Sequence, residues 1–159
     1  MRGLMRIALA LVAFLGATVL EGPPTASAAS CFNFQQVDVS TVGDGPSAQT
    51  TIAFRVANTC KWAVSYVAFS TQGLGRVAPA NGAVYTSPSG AQYRVEYTGN
   101  RGNPGFESIK LTPIGEGYAN GSDVFSITVT GFQDDYAFKV QGHAGPVTET
   151  VRASSGGGE

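Results

Sequence analysis

Hydrophobic and polar residues alternate along most of the chain after residue 28, and no segment there keeps the 3.6-residue period of an amphipathic helix. In one such segment, Ile52, Phe54 and Val56 share one face of a predicted strand. Clusters of Gly, Pro, Asn and Asp separate these segments, as is typical of turns. The pattern predicts eight or nine short strands and an all-β fold, an antiparallel β-sandwich that is immunoglobulin-like by strand count.

The same alternation predicts the core and the edges of the sheets. The segment from Trp62 to Ser70 has apolar residues on both faces, which favours a central strand. In the last segment, from Val147 to Val151, Glu149 shares a face with two valines, so we expect an edge strand. The region 71–105 is rich in turn residues and is predicted to be looser. The predicted core residues are Ile52, Phe54, Val56, Trp62, Val64, Phe125, Ile127 and Val129.

The amino-terminal segment has a different pattern from the rest of the chain. Arg2 and Arg6 precede an apolar run of 14 residues, Ile7 to Leu20, and small residues follow at Ala26 to Ala28. A basic start, a short apolar run and a small-x-small site are the signature of a secretory signal peptide. The apolar run is too short for a helix that crosses a hydrocarbon core of about 30 Å. The segment therefore predicts export.

These boundaries divide the chain into three parts. We expect residues 1–28 to be the signal peptide and the mature chain to begin at Ala29 or Ser30. Residues 29–153 have the length of a single domain, and residues 154–159 form a Ser- and Gly-rich tail that we expect to be flexible. The predicted location is secreted and extracellular, with no insertion of the mature chain into a membrane.

The chain has two cysteines, Cys31 and Cys60, and both lie in the part predicted to be exported. An even number of cysteines in an exported domain predicts a disulfide bond. In the competing hypothesis, Cys31 is the lipid-modified first residue of a lipoprotein. Ala28 then stands three positions before the cysteine, where lipoproteins usually carry a leucine.

Charge narrows the range of expected partners. Charged residues make up 13% of the chain, about half the usual share, and the formal net charge is −1. The only lysines, Lys61, Lys110 and Lys139, are scattered along the sequence, so nucleic acids and anionic membranes are not expected as partners. A surface rich in Ser, Thr, Asn, Gln and Gly suits contact with glycans or with other cell-surface or matrix components.

Few residues indicate catalysis. His143 is the only histidine and lies outside any nucleophile motif. We expect no enzymatic activity and no cofactor. The alternative function is a small secreted glycoside hydrolase that uses two acidic residues. A calcium site formed by Glu116, Asn120 and Asp123 is a further alternative, because these oxygen-bearing side chains lie within eight residues of one another.

Four tyrosines, namely Tyr93, Tyr97, Tyr118 and Tyr136, are candidates for ligand contact because they fall on predicted short strands or turns. Exposed aromatic rings there can stack on sugars. The alternative is that these rings fill core and edge positions. Together with the missing catalytic motifs, these tyrosines favour a secreted, non-enzymatic β-sandwich that contacts a glycan or a cell-surface or matrix component.

Four short segments of the chain belong together in one further comparison. They are Asn58-Thr59-Cys60, Ser65-Tyr66-Val67-Ala68-Phe69, Gly115-Glu116-Gly117 and Ser122-Asp123-Val124-Phe125. With these segments the chain resembles a module of bacterial secreted and surface proteins. The resemblance extends from about Cys31 to Val151, and it implies a β-sandwich at the cell surface with no catalytic residue.

Overall fold

A computed structural model describes residues 30–154 of the chain. The predicted signal peptide and the tail after Ser154 lie outside the described residues. The described part forms ten strands and one short 3-10 helix at Gly45–Ser47. The strands are β1 (Phe32–Val42), β2 (Gln49–Asn58), β3 (Val64–Ser70), β4 (Gly75–Ala78), β5 (Val84–Thr86), β6 (Gln92–Thr98), β7 (Ser108–Pro113), β8 (Gly121–Thr130), β9 (Ala137–Ala144) and β10 (Val147–Ser154).

The strands form two antiparallel sheets that pack face to face. One has four strands in the order β1-β2-β8-β4, and the other has six in the order β10-β9-β3-β7-β6-β5. The predicted antiparallel β-sandwich is confirmed. The order β1-β2-β8 matches that of strands A, B and E of immunoglobulin domains, and β10-β9-β3 matches that of strands G, F and C. Such a likeness concerns the fold and implies no function.

The core lies between the sheets and consists of the predicted alternating residues. Seven of the eight predicted core residues are at most 3% exposed, which confirms the assigned register. Phe54 lies near the centre, with its ring centroid 5.0 Å from that of Phe69 and 5.4 Å from that of Phe138. Because these rings come from both sheets, their packing holds the sandwich together.

The eighth predicted core residue, Trp62, is 38% exposed, so that prediction is wrong. Strand β3 begins at Val64, and Trp62 belongs to the turn before it. The indole ring packs against Gly145 in the β9–β10 turn, where an added Cβ would come within 2.5 Å of a ring atom. Trp62 therefore covers the end of the sandwich instead of entering its core.

Strand β4 lies in the region that the pattern predicted to be looser. It has four residues and pairs with β8 at the edge of the smaller sheet. Val77 is 37% exposed, so this strand has no buried apolar face from which alternation can be detected. The prediction of an edge strand near Glu149 is confirmed, because β10 ends the six-stranded sheet.

Two contacts attach the start of β1 to the domain. Cys31 and Cys60 form the predicted disulfide, with Cα atoms 5.1 Å apart, next to the paired residues Phe32 and Asn58. Because both sulfurs are in this bond, the lipid-modification hypothesis for Cys31 is wrong for this structure. The Glu149 carboxylate also accepts hydrogen bonds from the backbone amides of Cys31 and Phe32.

Residues 30–154 include no helix of the length and apolarity needed to span a membrane.

Candidate functional site

A groove of about 520 Å³ opens at one end of the sandwich. Three segments line it: the β5–β6 turn, the chain that follows β7, and the beginning of β8. We call it the end groove. Its lining includes the polar side chains of Ser89, Gln92, Glu116 and Asp123 and the largely apolar surfaces of Ile114 and Tyr118.

Asp123 lies at the base of the end groove and is 5% exposed. Its Oδ2 atom accepts hydrogen bonds from the hydroxyls of Tyr93 (2.6 Å), Ser87 (2.7 Å) and Ser89 (3.1 Å). Its Oδ1 atom accepts one from the backbone amide of Val124 (2.8 Å). These donors offset the cost of burying a carboxylate. Asp123 is thus held in one orientation by groups in the β5–β6 turn and on β6 and β8.

Local sequence explains how Asp123 reaches this position. Asn120 has a φ of 50°, a left-handed conformation that asparagine tolerates, and the Asn120-Gly121 pair turns the chain into β8. Along β8, Asp123 shares with Phe125 and Ile127 the face that points to the other sheet. The sequence therefore held a detectable signal: an acidic residue stands at a position where alternation predicts a core residue.

Tyr93 and Tyr118 are the two candidate tyrosines that the structure brings together in the end groove. The prediction of an exposed ring is wrong for Tyr93, which is 1% exposed. Tyr118 is half-buried and donates its hydroxyl to the carbonyl of Val56 at 2.8 Å. Burial raises the pKa of Tyr93 above its ordinary value, and the hydrogen bond to Asp123 raises it further. Burial also raises the pKa of Tyr118, with the charge of Asp123 as a second cause.

The other two candidate tyrosines lie away from the end groove and are half-buried. Tyr97 donates its hydroxyl to the carbonyl of Pro79 at 2.9 Å, and the guanidinium of Arg76 lies 4.7 Å from its ring centroid. Tyr136 donates to the carbonyl of Gln72 at 3.1 Å. Since both hydroxyls bind backbone carbonyls, these tyrosines connect loops to the sandwich.

The residues of the calcium alternative are only partly gathered. Glu116 and Asp123 line the end groove, whereas Asn120 forms the turn before β8. Within residues 30–154, no three His, Cys, Asp or Glu side chains lie together in a way that holds a metal ion. Because hydroxyl donors already occupy Oδ2 of Asp123, a calcium ion there would have to displace them.

The groove chemistry resembles that of a site for a small polar ligand. Glu116 is exposed and offers acceptors, and Gln92 offers both a donor and an acceptor. Ser89 offers its oxygen as an acceptor, because its hydrogen is donated to Asp123, and Tyr118 with Ile114 offers apolar surface. His143 lies elsewhere, stacked on Tyr66 with ring centroids 5.1 Å apart. Comparison of the chain with protein-family models, with curated proteins and with solved structures finds no match.

Proposed function

We propose that the protein is an exported, non-enzymatic β-sandwich that binds a carbohydrate in the end groove and so contacts a cell-surface or matrix component. Export is supported by the signal-peptide pattern of residues 1–28 and by the disulfide between Cys31 and Cys60, a bond that persists in oxidising compartments.

The observation that carries the carbohydrate proposal is the combination of groups around Asp123. A sugar presents hydroxyl groups at its rim and C–H groups on its faces. The end groove offers the carboxylate of Glu116, the amide of Gln92 and the hydroxyl of Ser89 to the rim, and the half-buried ring of Tyr118 to a face. Asp123 contributes indirectly: it accepts a hydrogen bond from Ser89 and so orients that hydroxyl.

The hydrogen bonding and burial of the two groove carboxylates favour binding over hydrolysis. Glycoside hydrolysis requires two carboxyl groups that reach the substrate, one as general acid and the other as base or nucleophile. Asp123 accepts four hydrogen bonds from the protein itself and is almost fully buried. Glu116 is then the single groove carboxylate that a ligand can reach, which suits hydrogen bonding to a sugar better than the two-carboxylate reaction.

A glycan array followed by titration of the best neutral glycan tests this proposal. We expect Glu116→Gln and Ile114→Ser to weaken binding by about fivefold or more, since each removes an exposed contact and leaves the fold intact. Tyr118→Ala should also weaken binding, because it removes the ring that the groove offers to a sugar face. Tyr136→Ala is the matched control: both half-buried tyrosines lose a ring and a hydroxyl that binds a backbone carbonyl, but Tyr136 lies outside the groove.

The same preparation is assayed with a panel of glycoside substrates. Turnover that Glu116→Gln or Asp123→Asn abolishes would establish the hydrolase alternative and overturn the non-enzymatic proposal. Binding that persists unchanged in Glu116→Gln and Ile114→Ser would place the glycan outside the end groove.

A further inference from the structure

The outer side of the six-stranded sheet collects basic residues that are far apart in the sequence. Arg94, Lys110 and Lys139 each stand between two core residues of their strands, so their side chains leave the sheet on its outer side. Arg152 on β10 pairs directly with Lys139 on β9 and shares its side. We call these four residues the cationic face.

The cationic face forms a diagonal band. Its four residues lie on β10, β9, β7 and β6, which span four strand spacings, or about 19 Å. Lys110 is in register with Ala68 and Gln141, whereas Lys139 and Arg94 are displaced by two residues to opposite sides of that row. The band is therefore roughly 20–25 Å long, which fits a linear polymer better than a small ion.

Most of these charges have no anionic partner in the protein. Lys110 is the exception, because its Nζ atom lies 3.3 Å from Oε2 of Glu96 and forms an ion pair with it. Arg94, Lys139 and Arg152 are exposed, and no carboxylate within residues 30–154 pairs with them. The Lys139 ammonium lies 4.6 Å from the ring centroid of Phe106, which holds it above the sheet without neutralising it.

One pairing also opposes folding. Arg152 and Lys139 occupy directly opposite positions on neighbouring antiparallel strands, and like charges in such positions repel. A bound anion between them would replace this repulsion with two attractions. The smaller sheet differs, because its outer side carries Arg55 together with Asp38, and these charges balance.

We infer that the cationic face binds an acidic polysaccharide, a linear polymer whose repeated carboxylate groups follow the diagonal band. This inference rests on the export part of the proposed function, because export brings the protein to cell-surface polymers. It is independent of the end groove. Glu96 balances Lys110, and the partner supplies negative charges to Arg94, Lys139 and Arg152. The edge formed by β10 leaves the Arg152 end of the band open.

Binding to polygalacturonate, with its fully methyl-esterified form as the uncharged control, tests this inference. We expect binding to the acid form alone, weakening as salt rises because exposed charges are screened. Each of Arg94→Gln, Lys139→Gln and Arg152→Gln should lower the affinity about twofold to fivefold. Arg55→Gln is the matched control, since it removes the same charge from an exposed strand residue on the opposite side.

Two further arms complete the test, and thermal unfolding of each variant checks the fold. Glu116→Gln should leave polygalacturonate binding unchanged, so failure of the groove proposal and failure of this inference give different results. Equal affinity for the methyl-esterified polymer, or an equal loss in Arg55→Gln, would overturn the inference. Tighter binding to duplex DNA or to anionic phosphatidylglycerol vesicles would also overturn it, in favour of that partner.

Discussion

The end groove and the cationic face differ in how their polar groups are satisfied. In the groove, Asp123 is almost fully buried, and hydroxyls from β6 and from the β5–β6 turn donate to it. On the cationic face, Arg94 and Arg152 are exposed and have no such partners within residues 30–154. The fold thus organises the polar groups of the groove, whereas three charges of the cationic face stay without anionic partners within residues 30–154.

The largest effect is expected from truncating a core residue that packs against the groove residue Tyr93. Phe125→Ala should lower the free energy of unfolding by about 3–5 kcal/mol, because it leaves a cavity where the ring now packs 4.9 Å from the centroid of Tyr93. Chemical denaturation measures this loss. Val124→Ala, at the neighbouring half-buried position on the outer side, is the control. Equal losses in the two variants would show that the register of β8 is wrong.

A smaller change acts on the end groove alone. Tyr93→Phe removes one of the hydroxyls that donate to Asp123 and should cost about 1.5–3 kcal/mol, the usual range for a hydrogen bond to a charged group. Tyr97→Phe loses a bond to a neutral carbonyl and should cost less, about 0.5–1.5 kcal/mol. Polygalacturonate binding should be unchanged in both. A loss of that binding would mean that the two regions are coupled.

Alkaline pH offers a test without mutation. The folded-state pKa values of Tyr93 and Tyr118 are raised above 10.0, so above about pH 10 the unfolded chain releases these protons while the folded chain keeps them. Stability is therefore fully present below pH 10 and falls as pH rises, by up to about 1.4 kcal/mol per pH unit for each tyrosine. Denaturation at several pH values should show a shallower slope for Tyr93→Phe. An unchanged slope would contradict the assignment.

The smallest expected effect has the opposite sign. Arg152→Gln relieves the repulsion from Lys139 and should stabilise the fold by about 0.2–1 kcal/mol. The same variant should bind polygalacturonate more weakly. A gain in stability together with a loss of binding would sharpen the contrast between the two regions. A loss of stability would show that Arg152 has a structural role.

Periodicity in the sequence was sufficient to predict the fold class. Strands such as β2 and β8 have one buried and one exposed side, so Phe54 and Phe125 could be assigned to the core from alternation. The same reasoning failed for Trp62, because exposure near the end of a strand depends on where the strand begins. Here the contact with Gly145, 83 positions later in the chain, places the indole outside the core.

Residue pattern and composition were enough to predict the β-sandwich, the pairing of the only two cysteines and the residues that carry polar chemistry. Which of those residues meet became clear from the packing of the two sheets. Ser87 in the β5–β6 turn and Tyr93 on β6 both donate to Asp123 on β8, and Lys110 and Lys139 come to share one side of a sheet. The physical reason is that alternation depends on neighbours two residues apart, whereas strand order depends on the packing of the whole chain.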